Sequence, residues 1–166
     1  MSEVSVPGRV LGLIDRGAEM TIVVVMTVML VVVSIQVLLR YVFNTSIDWA
    51  EDVARLCFVW SIFLAIPLGI KHGAHIAIEL LVPHLRENWQ RAFFRVVATL
   101  SALMMAIVCY YAALQVVQQW DEMLPTIALS SALFMVPVAL GAAHSVLHLG
   151  VLTVSGVAPK TMAPIE

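Results

Sequence analysis

The sequence predicts an all-α membrane protein with four transmembrane helices, a membrane-surface amphipathic segment between the second and third, and an N-in/C-in orientation. Three observations predict it. First, the 166-residue chain is 61% hydrophobic and only 12% charged, with a mean hydropathy of +0.98. Ordinary soluble domains carry about 25% charged residues, and so little charge cannot cover the apolar surface of one small core. Second, four long apolar stretches lie near 20–40, 49–70, 90–120 and 126–149. Third, the basic residues are asymmetric. With the N-terminus inside, Arg9, Arg16, Lys71, Arg86, Arg91, Arg95 and Lys160 fall on the inner side, and only Arg40 and Arg55 on the outer side, as the positive-inside rule requires.

Residues 1–19 mix Arg9 and Arg16 with Glu3, Asp15 and Glu19. Residues 20–39 then run without a charge, about 30 Å of helix, enough to cross a bilayer core. A cleavable signal peptide would have a shorter apolar region and a small-residue cleavage site, so this first span reads as a retained anchor. It is rich in valine and isoleucine, poor helix formers in water, but in lipid the backbone has no other partners. Arg40 closes it and can snorkel to the interface. Asn44, Thr45 and Ser46 form a glycosylation sequon so close to the membrane that they read as a turn.

The second span is expected over 49–70. Asp48 suits an N-cap with Glu51 three residues on, a variant of the capping box. Glu51 and Asp52 precede Arg55 by four and three residues, so both acids share a helix face with it. They also occupy the first turn, where the helix dipole favours negative charge. The uncharged run 56–70 is too short to span alone, so the turn from Trp49 to Arg55 must extend it into the interface. Pro67 should bend its far end. Residues 71–88 carry Ile76, Ile78, Leu80, Leu81 and Leu85 on a partly apolar face, broken at Pro83, and should lie along the cytoplasmic membrane surface.

The third span, 90–120, should begin near Arg86 and end near Gln119 or Trp120. Asp121, Glu122 and Pro125 make the next turn, and the fourth span, 126–149, contains Pro137 and Gly141. Trp49 and Trp120 then fall at the outer boundary and Trp89 at the inner one, as belt residues should. The whole reads as one membrane domain, 1–166.

The chemical candidates are few. No ionisable side chain falls in the middle of a predicted span, although such residues usually mark a transport path. Four nearly featureless helices look like a scaffold. His144 and His148, four apart, share a helix face, but a metal site needs a third ligand and none has suitable spacing in the sequence. His72 and His75 with Glu79 are equally loose. A heme would need axial histidines from facing helices, whereas all five histidines belong to the inner half or the inner connection. No catalytic, cofactor or metal site is expected, and the chain is not expected to be an enzyme. Cys57 and Cys109 lie inside apolar spans and read as small packing residues. A net charge of −2 with no basic stripe argues against nucleic acid, and no phosphate-binding glycine loop is present. Gln115, Gln118 and Gln119 could bond between helices. Ala128, Ser130, Ser131 and Ala132 make a small-residue patch on the expected fourth helix.

The most informative stretch is 40–79. It reads Arg40-Tyr41-Val42-Phe43-Asn44, then Trp49-Ala50-Glu51-Asp52-Val53-Ala54-Arg55, an apolar run containing Trp60, and Gly73-Ala74-His75 with Glu79. This ordered combination resembles the small membrane subunit of the tripartite ATP-independent periplasmic (TRAP) transporters, the DctQ-like family. That pattern more often has Glu where Asp52 stands, Asp where Glu79 stands, and Gly where Ala65 stands. Ala128 and Leu129, then Pro137 and Gly141, also resemble the family's last helix. The resemblance implies a scaffold in a bacterial inner membrane, held by lipid contacts and docked on a large TRAP permease subunit. That partner would carry the substrate and sodium sites and move by an elevator motion. A periplasmic substrate-binding protein would deliver an organic acid. Two other readings stand beside it. A small stand-alone four-helix exporter would need an acidic residue within a span, and the first span lacks one. A membrane-anchor subunit of a redox complex would be coloured if it bound heme.

Overall fold

The structure, a computed structural model, describes residues 6–71 and 87–155. Four helices are long and apolar enough to cross a membrane. They are α1 (Val6–Val42), α2 (Asp48–Lys71), α3 (Glu87–Gln118) and α4 (Val136–Ser155). No strand occurs among the described residues beyond an isolated bridge between Met123 and Ser130.

Helix α1 begins well before residue 20, because nothing in the charged stretch breaks it. Pro7 sits in the first turn, where its missing amide costs nothing, and the helix runs for 37 residues. The segment able to span is Leu11–Val42. The hydroxyls of Thr21 and Thr27 donate to carbonyls four residues back, at 2.9 and 2.8 Å, and so serve their own helix. Asn44, in the left-handed region at φ 52°, turns the chain after α1 and brings the Thr45 amide 3.1 Å from the Leu39 carbonyl. The predicted turn is there.

Helix α2 starts at Asp48 itself, so Asp48 occupies the first helical turn instead of capping from outside. Its charge still lies against the positive end of the dipole. Pro67 stands inside α2 and is fully buried. With no amide proton, it leaves the carbonyl four residues back, that of Phe63, without its helical partner. Gly141 of α4 packs on that same carbonyl: a Cβ at Gly141 would lie 2.1 Å from the Phe63 oxygen. The proline of one helix and the glycine of the next therefore make a single close crossing. Leu64, Leu68, Ala142, Ser145 and Leu149 are buried along this seam or beside it.

The expected fourth span divides differently. Residues 119–130 form a tight loop, in which Leu124 donates to Leu129 at 2.8 Å and Ser131 donates to Glu122 at 2.7 Å. A 3-10 turn, Ser131–Phe134, follows, and α4 begins only at Val136, with Pro137 in its first turn. Ser130 is the reason for the division. Its hydroxyl accepts from the Ala132 amide at 3.1 Å and donates to the Gln119 carbonyl at 3.1 Å, offering the backbone an alternative to helix. The small-residue patch is thus a cap and a loop, not a helix face.

In space α1 packs on α2, α2 on α4, and α4 on α3. The inner pair, α2 and α4, carries most of the buried residues, while α1 and α3 present Val24, Leu30, Leu38, Leu100, Met104 and Val117 outward. Both cysteines are free; Cys109 of α3 lies 3.6 Å from the Ala139 carbonyl of α4.

Candidate functional site

The polar residues gather at the two ends of the bundle and along the α2–α4 seam. At one end, Gln36 and Arg40 of α1, Asn44 in the turn, Asp48 and Glu51 of α2, and Thr126 of the loop before α4 line an open cavity of about 590 Å³. The three charges beside it divide. Arg55 pairs with Glu51, four residues back on the same helix, with both side chains more than three-fifths exposed. Asp52 accepts a hydrogen bond from the Thr126 hydroxyl, joining α2 to the loop 74 residues later. A shared face was expected of both acids; the fold gives one to Arg55 and the other to the loop. Trp49, 47% exposed, and Trp120, 58% exposed, stand at this end. Gln119, just past the end of α3, donates to Gln115 of that helix at 3.2 Å, a bond within one segment and not between helices.

Along the seam, the Trp60 indole donates to the Leu133 carbonyl at 3.1 Å, fixing the 3-10 turn against α2. Pro137 is fully buried at the start of α4, and Gly141 makes the close crossing with Phe63. The remaining sequence candidates, Gly73, His75 and Glu79, lie outside the described residues with nearly all of the expected surface segment 71–88.

The opposite end holds what the sequence did not reveal. Asp15 of α1 and His144 and His148 of α4 come together with residue exposures of 2%, 6% and 7%. Asp15 Oδ1 lies 2.9 Å from Nε2 of each histidine, and the two Nε2 atoms are 3.1 Å apart. A carboxylate sealed from water is costly unless it is hydrogen-bonded, and the two imidazoles supply that. The i, i+4 histidine pair was a usable signal, because it is polar in an apolar helix. Its partner lies 129 and 133 residues away, which no local spacing reveals.

Between the ends no polar file crosses the bundle among the described residues. Ser61, Thr99 and Ser145 each donate to a carbonyl four residues back in their own helix. These hydroxyls serve their own helices.

Comparison with known proteins gives this arrangement a context. Residues 29–158 match the family described as "Tripartite ATP-independent periplasmic transporters, DctQ component". Two TRAP transporter small permease proteins of Haemophilus influenzae are 28% identical over 120 residues and 29% identical over 97. The first alignment covers 72% of each chain and the second 58% of each. An isethionate TRAP transporter permease protein, DctMQ, of Oleidesulfovibrio alaskensis is 29% identical over 91 residues, 51% of this chain and 14% of that one. The family match covers most of the chain and agrees with the four helices, so the protein belongs to the DctQ family, a transporter component and not an enzyme.

Proposed function

We propose that the chain is the small permease subunit of a TRAP-type secondary transporter, the stationary scaffold and membrane anchor of a large elevator-type permease. The transporter takes up organic acids, driven by a sodium gradient, after a periplasmic binding protein delivers them. The chain sits in the bacterial inner membrane with both termini cytoplasmic, so the Trp49–Trp120 end faces the periplasm.

The observation that carries this reading is the lack, among the described residues, of a polar file through the bundle, with the intramembrane hydroxyls bonded to their own helices. A carrier needs coordinating groups near the midplane; a scaffold needs none. The outward apolar faces of α1 and α3 suit lipid and a large membrane partner. The name DctMQ, with the matched stretch only 14% of that relative, fits a small component working with a much larger permease. Exposed tryptophans at one end resist tilt and vertical drift, as a fixed reference for a moving domain requires. The cavity beside Arg40, Glu51 and Thr126 lies where the binding protein would approach.

Co-expression with the large TRAP permease of the same genome tests the reading. The two should purify as one complex, and deleting this chain should abolish uptake. Full uptake by the large permease without it would refute the scaffold role.

A further inference from the structure

We propose that Asp15, His144 and His148 form a binding site for one divalent transition-metal ion of the zinc class, which clips the start of α1 to the second half of α4. The site stands apart from the transport reading and would hold whatever the bundle does.

Asp15 Oδ1, His144 Nε2 and His148 Nε2 form a closed triangle with edges of 2.9, 2.9 and 3.1 Å. A ring nitrogen either donates or accepts; it cannot do both. If both imidazoles carry a proton on Nε2, both point at the carboxylate oxygen, and the nitrogen–nitrogen edge has two donors facing each other. If either Nε2 is bare, its edge to an ionised carboxylate sets lone pair against lone pair. With the carboxyl protonated, its proton serves one bare imidazole, and the single Nε2–H of the other must be shared between two edges. No assignment of protons makes all three edges good hydrogen bonds.

A cation above the triangle satisfies all three atoms at once. Zinc binds imidazole nitrogen at about 2.0–2.1 Å and carboxylate oxygen at about 2.0–2.2 Å, so a tetrahedral ion holds its ligands about 3.3 Å apart. The observed edges are a few tenths shorter, a difference that small side-chain adjustments cover. The three ligand atoms are the one such converging group of His, Cys, Asp and Glu among the described residues.

The donor set chooses the metal. Two imidazoles and one carboxylate suit zinc and its transition-metal neighbours, whereas calcium and magnesium take oxygen ligands. Burial also favours an ion: the side chains are 3%, 7% and 8% exposed, and two neutral imidazoles with one carboxylate carry a negative charge that a divalent cation offsets. The spacing supplies rigidity. Histidines four apart on α4 present two ligands from one helix face, and α1 brings the third from across the bundle. Because α1 packs on α2, and α4 on α3 and α2, the clip joins two helices that the packing alone leaves less directly linked.

The test uses the full chain in detergent, purified without a polyhistidine tag and stripped with chelator. Titration with Co²⁺ should give visible d–d bands saturating at one equivalent, displaced by Zn²⁺. Asp15→Asn and His148→Gln should each weaken Co²⁺ binding by more than about tenfold, since even outer-shell substitutions cost that much in metal sites. Replacing His72, His75 and His84 by Ala together should leave it unchanged. X-ray absorption on the zinc-loaded wild type, which requires no substitution, should show a nitrogen and oxygen shell with two imidazoles. The proposal is overturned if stripped wild type binds Co²⁺ no better than His148→Gln, if the triple variant loses the ion, or if the absorption spectrum lacks the imidazole pair.

Discussion

The two ends of this bundle handle charge in opposite ways. At the Trp49–Trp120 end the ionic partners are sequence neighbours: Glu51 and Arg55 sit four apart, and both are open to water. At the other end Asp15 meets His144 and His148 across 129 and 133 residues, sealed from solvent. An exposed pair gains little Coulomb energy in a high dielectric and contributes about 0–1 kcal/mol. A buried pair leaves an uncompensated polar group when one member is removed, at about 3–5 kcal/mol. The visible cluster is therefore suited to surface recognition, and the hidden one to holding helices.

The substitution that breaks this comparison most sharply is Asp15→Ala. It takes the shared carboxylate from two buried imidazoles and should destabilise the bundle by about 3 kcal/mol, read as a marked fall in melting temperature in detergent. An unchanged melting temperature would place the two ends on equal terms. Next is Gly141→Ala. Its new methyl would meet the Phe63 carbonyl at 2.1 Å, so α4 must move off α2 at a cost of about 1–3 kcal/mol. Pairing it with Pro67→Ala sharpens the point, because an amide at 67 would return the Phe63 carbonyl to α2. The double variant should differ from the sum of the singles, as coupled neighbours do.

Trp60→Phe removes one indole bond to the Leu133 carbonyl and should cost about 1 kcal/mol, loosening the 3-10 turn. Limited proteolysis between residues 119 and 135 should become faster. Smallest in stability is Arg55→Ala, within about 0.5 kcal/mol because its pair is exposed. Its effect belongs elsewhere: uptake in cells should fall while the melting temperature holds. Full uptake by this variant would remove the outer cluster from recognition.

Much of this was legible in the sequence for a physical reason. Membrane helices declare themselves through uninterrupted apolar runs, since lipid leaves the backbone no alternative. The turn at Asn44 followed from its chemistry and position, and Pro137 and Gly141 were marked by type. Other features needed three dimensions. The start of α1 stayed hidden because Arg9, Asp15, Arg16 and Glu19 interrupt the apolar run, and the partners of Asp15 lie far away in the sequence. The late start of α4 depended on Ser130 reaching both Ala132 and Gln119. The meaning of Pro67 waited for Gly141, because a freed carbonyl is a local fact and the glycine that covers it is not.

The proposed role is that of helices that support a carrier without being one. The direct measurement is solute uptake into proteoliposomes containing this chain alone, the large TRAP permease alone, or both, with binding protein and organic acid outside and an inward sodium gradient. Uptake should appear only when both membrane chains are present. Uptake by this chain alone would contradict that role.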